Sequence, residues 1–571
     1  MNSNYMKASE TIFRNLIEGS KQFQVPLFQR PYCWEKSKLE ALWDDIMNIY
    51  DGQVEGVYFL GSIVTQPILG TAEGISPYLI IDGQQRLTTL SILLASLRNK
   101  VNKEYSELAD ELHESYLINK FKKDEALYKV LPTQHDRDFY IKIIQDRNIE
   151  IDKDDAKTVK IYEAYTFFKL KLEKNKNLDF SKFKNVILEK LMLVNITSDN
   201  DDNPYLIFES LNMKGQELTQ ADLVRNYMFM KLPKEKQESL YNEIWMPLEE
   251  NFKRNVEQNK KYSDELTNAF WYYLRKDGES INQKSVYQCL KKKIDKSNID
   301  IVNELKDLTR FVKYYQCFNF PDQEEKNTTL KKYFKNFLRL DFKTSHIFLL
   351  NIYDKYESQE LSLDDFEKIL ISLESYFVRR LFTGVSTRVL GTVFNNLYKE
   401  SMKFESNSIV ENFLKILRGY DKKKKWPEDE EFIQGIITKP IYTKNYSDRV
   451  KFILERLEQS LTKEKVDFQN LTNEHIMPQT LTNEWRSGLE NNYEQIHKKW
   501  LHTLGNITLT AYNSELSNKS YSEKLEYIKK SNLSLNQYFR DKNNSVNLWN
   551  ADTIKNRAEY LAKIAIKVWP R

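Results

Sequence analysis

The sequence predicts an α+β chain of several domains, and three observations carry that prediction. Residues 58–64 (YFLGSIV) and 78–81 (YLII) have the length and apolar content of buried strands, and the second runs through Asp82-Gly83 into a strongly apolar helical stretch at 87–97. From about 235 to 410 one amphipathic helical pattern follows another. Near the C-terminus a short strand pattern at 468–471 leads to Glu474-His475, and an alternating apolar run opens at Gly505-Asn506 and closes in the amide-rich segment from Asn513 to Asn518. At 571 residues the chain is too long for one core, and three domains are expected, at 8–234, 235–420 and 421–571.

Composition narrows the class. Hydrophobic residues make up 41% and charged residues 29%, which excludes a disordered or membrane-embedded chain. No run of 18 apolar residues occurs and the N-terminal segment lacks the apolar core of a secretory signal, so a cytoplasmic protein without a membrane partner is expected. Cys33, Cys289 and Cys317 are far apart and form no C-x-x-C pair, so any metal would be held by oxygen and imidazole. With 86 basic against 82 acidic residues the charge is nearly balanced, and net charge does not argue for nucleic acid.

In chain order, residues 23–34 (FQVPLFQRPYCW) read as a short edge strand leaving into an irregular turn, because of the two prolines. A helix is expected from Lys38, with Leu39, Leu42, Trp43, Ile46 and Ile49 on one face and Ser37 as its cap. Tyr32 and Trp34 read as a hydrophobic plug under it. The strand-to-helix turn Asp82-Gly83-Gln84-Gln85-Arg86 is a candidate anion site: glycine permits close backbone approach, and the helix N-terminus favours a phosphate. Arg86 adds a guanidinium suited to phosphate, and Asp82 a carboxylate for a metal or a water.

At 205–226, Lys214-Gly215 is expected to break a helix ending near Asn212, with Thr219 capping the next. Glu209, Asn212, Asp222, Arg225 and Asn226 then either share a polar surface or form a salt-bridged helical hairpin. In the helical middle, Ser362 with Asp365 opens a helix whose apolar stripe is Phe366, Ile369, Leu370, Leu373 and Phe377, with Arg379-Arg380 completing its dipole near Tyr376. The charge blocks at 421–431 (DKKKKWPEDEE) read as an exposed linker or domain edge. An amphipathic helix is expected over 446–461, with Val450, Ile453, Leu454 and Leu457 on one side.

The segments FQRPYCW, YFLGSIV, LIIDGQQRLTTL and IFESLNMKGQELTQADLVRN together resemble the N-terminal domain of the GmrSD-type modification-dependent (type IV) restriction endonucleases. The resemblance implies a ParB and sulfiredoxin-like fold, nucleotide binding and hydrolysis at Asp82, Gly83, Gln84, Gln85 and Arg86 with Gln29 and Arg30, and sensing of modified DNA through Tyr32 and Trp34. EHIMPQ at 474–479, LGNITLT at 504–510 and the following N-x-x-x-x-NK are similar to the ββα-metal (HNH) nuclease core that accompanies that domain.

In that pattern His475 is the general base, Glu474 a ligand of Mg2+ or Mn2+, and Asn506 the amide that fixes the loop and orients the histidine. Asn513 or Asn518 completes the metal site, the second being favoured, and Lys519 reaches the scissile phosphate. His497 and His502 read as helix-surface or packing residues. The expectation is a nucleoside triphosphate-dependent endonuclease cutting modified phage DNA in antiphage defence, possible as a homo-oligomer. The alternatives are a phosphorothioate-stimulated nickase of the SspE kind and a nucleotide-switched DNA-binding module with an inactive HNH core.

Overall fold

A computed structural model describes residues 7–68, 74–152, 159–197, 218–257, 260–297, 299–404, 408–489, 492–541 and 546–571. The chain is mixed α and β, mostly helical, and falls into two compact units, residues 1–249 with 290–305, and residues 250–289 with 306–571. Residues 250–289 and 306–420 of the helical middle therefore share a unit with the C-terminal part, while 235–249 and 290–305 fall in the first. Among the described residues no helix is long and apolar enough to cross a membrane.

The first unit is built on a six-stranded sheet, β1 (Lys7–Ile12), β2 (Lys21–Gln24), β3 (Tyr58–Pro67), β4 (Ser76–Asp82), β5 (Val130–Leu131) and β6 (Leu191–Thr197), in the order β1-β6-β3-β4-β2-β5. β3 runs antiparallel to β4 and parallel to β6, and β2 lies parallel to β4 and β5. The expected edge strand at 23–34 is instead β2, covered on its outer side by the two residues of β5, and Pro26 ends its pairing one residue after the Val25 N–H reaches Leu131 O. β3 is less buried than its apolar sequence implies, since Phe59 at its start is 54% exposed.

The helix after the 29–34 loop spans Lys36–Tyr50 and buries Leu39, Leu42, Trp43, Ile46 and Ile49. Ser37 lies in its first turn, and Glu35 precedes it without a side-chain cap. The central element is the helix Gln84–Val101, buried almost all round from Leu87 to Arg98. A helix without a polar face cannot stand at a surface, which is why it carries the core of this unit. Gly83 starts it at φ +91°, and a Cβ there would come within 3.0 Å of Ser62 O and 2.9 Å of Ile63 Cγ1, so position and backbone both require glycine.

The second unit holds the helix Leu363–Thr383, opened by Ser362 Oγ accepting from the Asp365 N–H. Its expected apolar stripe is buried. Arg379 and Arg380, expected as a basic helix end completing the dipole, are fully buried. Arg379 donates to Trp569 O, Pro427 O and Asp429 Oδ1, and Arg380 donates to Lys423 O, Lys425 O and Ser386 O. These bonds, with the Tyr376 hydroxyl on Lys424 O, tie down the 421–431 segment, and Trp426 within it is 2% exposed. The segment is therefore anchored at Trp426 and Pro427, where two guanidiniums satisfy its carbonyls, while the charges at 421–423 and 428–431 stay exposed as expected.

The helix Ser447–Leu461 buries Val450, Ile453, Leu454 and Leu457 as expected. The strand expected at 468–471 begins later, as β7 (Thr472–His475), and pairs antiparallel with β8 (Ile507–Thr510), setting Glu474 opposite Thr508 and His475 opposite Ile507. Gly505, just before β8, admits the helix Ala551–Val568, since a Cβ there would lie 2.3 Å from Ile554 O.

His346 is enclosed in the second unit among Tyr272, Tyr315 and Phe318, and burial lowers its pKa from 6.5 to about 3. Between those two values the unfolded chain binds a proton that the folded chain does not, so this group makes stability fall as pH falls through 6.5. Its contribution at pH 5 is about 2 kcal/mol less than at pH 7.5. The urea midpoint of the wild type should drop over that range, and His346→Gln should show a shallower slope even if it starts lower.

Candidate functional site

Chemistry-bearing residues gather in one place in each unit. In the first unit Asp82 ends β4, and Gly83 turns the chain so that the N-terminus of an 18-residue helix opens where β4 stops. Arg86 lies flat over Gly61, donates to Ser62 O at 2.8 Å and stands 4.0 Å from Asp82 Oδ2. Burial raises the Asp82 pKa, opposed by Arg86, by a hydrogen bond from the Gly83 N–H and by Arg30. The carboxylate thus stands near the Arg86 guanidinium at a helix N-terminus and also feels the charge of Arg30, a setting that suits a phosphate oxygen or a polarised water.

The glutamines of this turn are already engaged. Gln29, 5% exposed, donates through Nε2 to Ile80 O and Ile81 O, and Gln85 accepts from the Cys33 N–H while donating to Pro31 O. Both side chains bind the 29–34 loop to the β4 turn, and neither is presented to a ligand. Gln84 Nε2 reaches Arg30 O at 3.4 Å, and its Oε1 is buried without a partner. Tyr32 is in the core, its hydroxyl 2.7 Å from Thr89 Oγ1 and its N–H donating to Asp136, and Trp34 packs partly buried against the same core. A Tyr32 ring so placed cannot stack on a base unless the core opens, which corrects its expected sensing role.

Of the next polar group, Glu209 and Asn212 lie outside the described residues, as does the expected helix break at Lys214-Gly215. Thr219 and Asp222 form a reciprocal capping box at the start of the helix Gln220–Lys231. Arg225 is buried and bonds Asp222 Oδ1, Glu249 Oε1 and Phe28 O, so it follows the salt-bridged reading. Asn226 is 3% exposed, and its Oδ1 has no partner.

In the second unit Glu474 and His475 end β7, both 5% exposed. Asn506 lies at the entrance to β8 with every valence of its amide used. Oδ1 accepts from the Met477 N–H at 2.8 Å and Trp549 Nε1 at 2.9 Å, and Nδ2 donates to Met477 O at 3.0 Å and Leu501 O at 2.9 Å. It fixes the chain leaving His475, and it makes no bond to the imidazole.

Two partners escaped the sequence reading. The first is Lys524, fully buried on the helix Tyr521–Lys530, whose Nζ lies 2.5 Å from Glu474 Oε1 and 2.8 Å from His475 O. Burial raises the Glu474 pKa and lowers that of Lys524, each opposed by the other's charge. The second is His502, expected as a packing residue. Its Nδ1 is 3.2 Å from His475 Nε2, and the Tyr442 ring stacks on His502 and meets His475 edge-on. Burial, then His502, Lys524 and His497, lower the His475 pKa to about 3, which keeps its ring neutral near pH 7. His497 itself bonds Pro478 O. A signal for Lys524 existed, since it falls on the apolar stripe of Tyr521, Leu525 and Ile528, where a charge needs a buried partner. His502 left no such mark.

The residues expected to share a metal do not converge. Glu474 is occupied by Lys524, while Asn513 and Asn518 are exposed and bond neither Glu474 nor His475. Among the described residues no group of three or more His, Cys, Asp or Glu is arranged to hold an ion. As arranged, these donors do not fit a divalent cation, because a carboxylate neutralised by an ammonium at hydrogen-bond distance offers it little charge. Lys519 Nζ lies over the Tyr527 ring, 4.8 Å from its centroid, and its carbonyl accepts from Trp485 Nε1.

Comparison with known families assigns both halves. Residues 11–229 match the GmrSD restriction endonuclease N-terminal domain, and residues 426–564 match the GmrSD restriction endonucleases C-terminal domain. The chain belongs to the GmrSD restriction endonuclease family. The two clusters lie one in each matched domain, and family membership makes nuclease activity, with DNA as the substrate, the coarse function of this GmrSD chain. No curated protein matches it.

Lys524→Met leaves a buried carboxylate without its cation and should cost about 3–5 kcal/mol. The double change Lys524→Met with Glu474→Leu should recover a large part of that loss. Urea midpoints of the two variants decide it, and equal midpoints would mean the pair is not coupled.

Proposed function

We propose that the chain is a nucleotide-dependent, type IV endonuclease that cuts modified DNA in antiphage defence, with the DGQQR turn as its nucleotide site and the β7-β8 hairpin with the helix Tyr521–Lys530 as an HNH-like cutting centre. The observation that carries this reading is His475: an imidazole held neutral at the end of a strand, on a loop locked by Asn506, in the domain matched as the restriction endonuclease C-terminal part. A neutral imidazole can take a proton from an attacking water, and the Lys524 ammonium, bonded to the His475 carbonyl, holds the strand end that carries it. Lys519, half-buried after β8, is the residue assigned to a backbone phosphate, because its ammonium is the cation that follows that strand.

In the first unit the proposal assigns the triphosphate to the helix N-terminus at Gly83, with Arg86, Arg30 and Asp82 around it, in a ParB-like fold. Gln29 and Gln85 hold the loop and do not touch the ligand. Mg2+ or Mn2+ enters the proposal as a component to be tested in the assay and not as a group placed by Glu474.

The deciding experiment sets purified chain against plain, cytosine-modified and phosphorothioate DNA, with each nucleoside triphosphate, in the presence of Mg2+, Mn2+ or a chelator. Cleavage confined to cytosine-modified DNA and requiring nucleotide is the expected result, and stimulation by phosphorothioate alone would replace it with a nickase of host-modified DNA. His475→Ala should abolish cutting, a loss of at least about 10²-fold, with DNA binding retained. If that variant still restricts phage, the chain acts as a binding module. Asp82→Asn and Arg86→Ala should remove nucleotide dependence together with cleavage, and unchanged plaque restriction by both would rule out the gating role of the turn.

A further inference from the structure

The His475–His502 pair fixes more than the position of a ring. Two neutral imidazoles 3.2 Å apart share one hydrogen, which sits either on His475 Nε2 or on His502 Nδ1. In the second arrangement His502 would carry its proton on Nδ1, the less stable tautomer of a free imidazole, and the His475 lone pair at Nε2 would be spent on the bond. In the first, both rings keep the favoured Nε2–H form: His475 donates and His502 Nδ1 accepts. His502 is only half-buried, so its own Nε2–H can be met by water.

The rest of the surroundings agree with the first arrangement. Among the described residues His475 makes its side-chain hydrogen bond through Nε2, and Nδ1 makes none. That leaves Nδ1 as the ring nitrogen whose lone pair is not committed within the chain. Tyr442 holds both rings, stacked on one and edge-on to the other, and accepts a proton from neither. The backbone of His502 is pinned in turn, its carbonyl accepting from the Ile441 N–H at 2.9 Å. An acceptor so supported leaves the His475 ring one orientation.

We propose that His502 is a positioning residue of the cutting centre: its Nδ1 accepts from His475 Nε2–H and so presents His475 Nδ1, unprotonated, as the nitrogen that removes a proton from the attacking water. The balance is simple. Water loses a proton to His475 Nδ1 as its oxygen bonds phosphorus, the leaving oxygen departs with the electron pair of the broken P–O bond, and the Nε2–H stays on His475 throughout. This inference rests on the endonuclease reading, but the tautomer it predicts exists whether or not the chain cuts DNA.

The test therefore has two arms. In full-length chain labelled with 15N at its six histidines, the His475 signals, identified by their loss in His475→Ala, should show a protonated Nε2 and a bare Nδ1 at neutral pH. A proton on Nδ1 overturns the proposal regardless of activity. In cleavage assays His502→Ala should lower kcat about 10- to 100-fold with KM for DNA unchanged. His502→Asn, whose Oδ1 falls near the place of Nδ1 and can accept the same hydrogen bond, should restore most of that loss. Wild-type kcat in His502→Ala, or an asparagine variant as slow as alanine, overturns it. If wild type shows no cleavage on any DNA while the tautomer is as stated, the endonuclease reading fails and the positioning role of His502 in catalysis falls with it, whereas the imidazole pair stands.

Discussion

The proposed cutting centre depends on one buried amide. Asn506 has no contact with water, and each of its polar atoms is used twice over, on Met477, Leu501 and Trp549. An amide removed from water is stabilising only when fully paired, so the three chain segments it joins are held at distances set by hydrogen-bond geometry. β7 must then end where it does, with Glu474 and His475 at the junction. Replacing the amide would leave four buried groups seeking partners at once.

Around that amide the charges follow a similar logic. Glu474 is buried and so needs a cation; Lys524 is buried and so needs an anion; each offsets the other's desolvation. The lysine also bonds the His475 carbonyl, coupling the helix Tyr521–Lys530 to the strand that carries the imidazole. In the first unit the corresponding devices are neutral. Gln29 and Gln85 satisfy backbone groups between the 29–34 loop and the β4 turn, and the charged groups there are Asp82, Arg30 and Arg86.

Some of this was legible before any coordinates. The helix stripes at 39–49, 366–377 and 450–457 are buried as their spacing predicts, and the Thr219 cap and the Ser362 cap form. Local periodicity and capping are properties of short segments, and short segments report them faithfully. The errors lie where long-range partners intervene. Gln29 and Gln85 carry the right chemistry for a nucleotide but bond the chain itself; Arg379 and Arg380 read as a dipole-completing helix end but bond distant carbonyls, among them Lys425 O, 45 residues away, and Trp569 O, 190 residues away. Tyr32 is the hydrophobic plug its sequence context suggests, its hydroxyl on Thr89, and it is the sensing role implied by resemblance that its burial opposes.

By itself, then, the sequence determined the mixed α and β class, the glycine turn at Asp82-Gly83, the order of the two motif-bearing regions and the identity of the family. Those are statements about composition, local propensity and motif. Tertiary structure alone decided that Lys524 sits on Glu474, that His502 faces His475, and that Asn513 and Asn518 stand apart from both. The two contacts span 50 and 27 residues; the apolar stripe around Lys524 calls for a buried partner without naming it, and only the packing of β7 against β8 and the helix behind them selects which group that is.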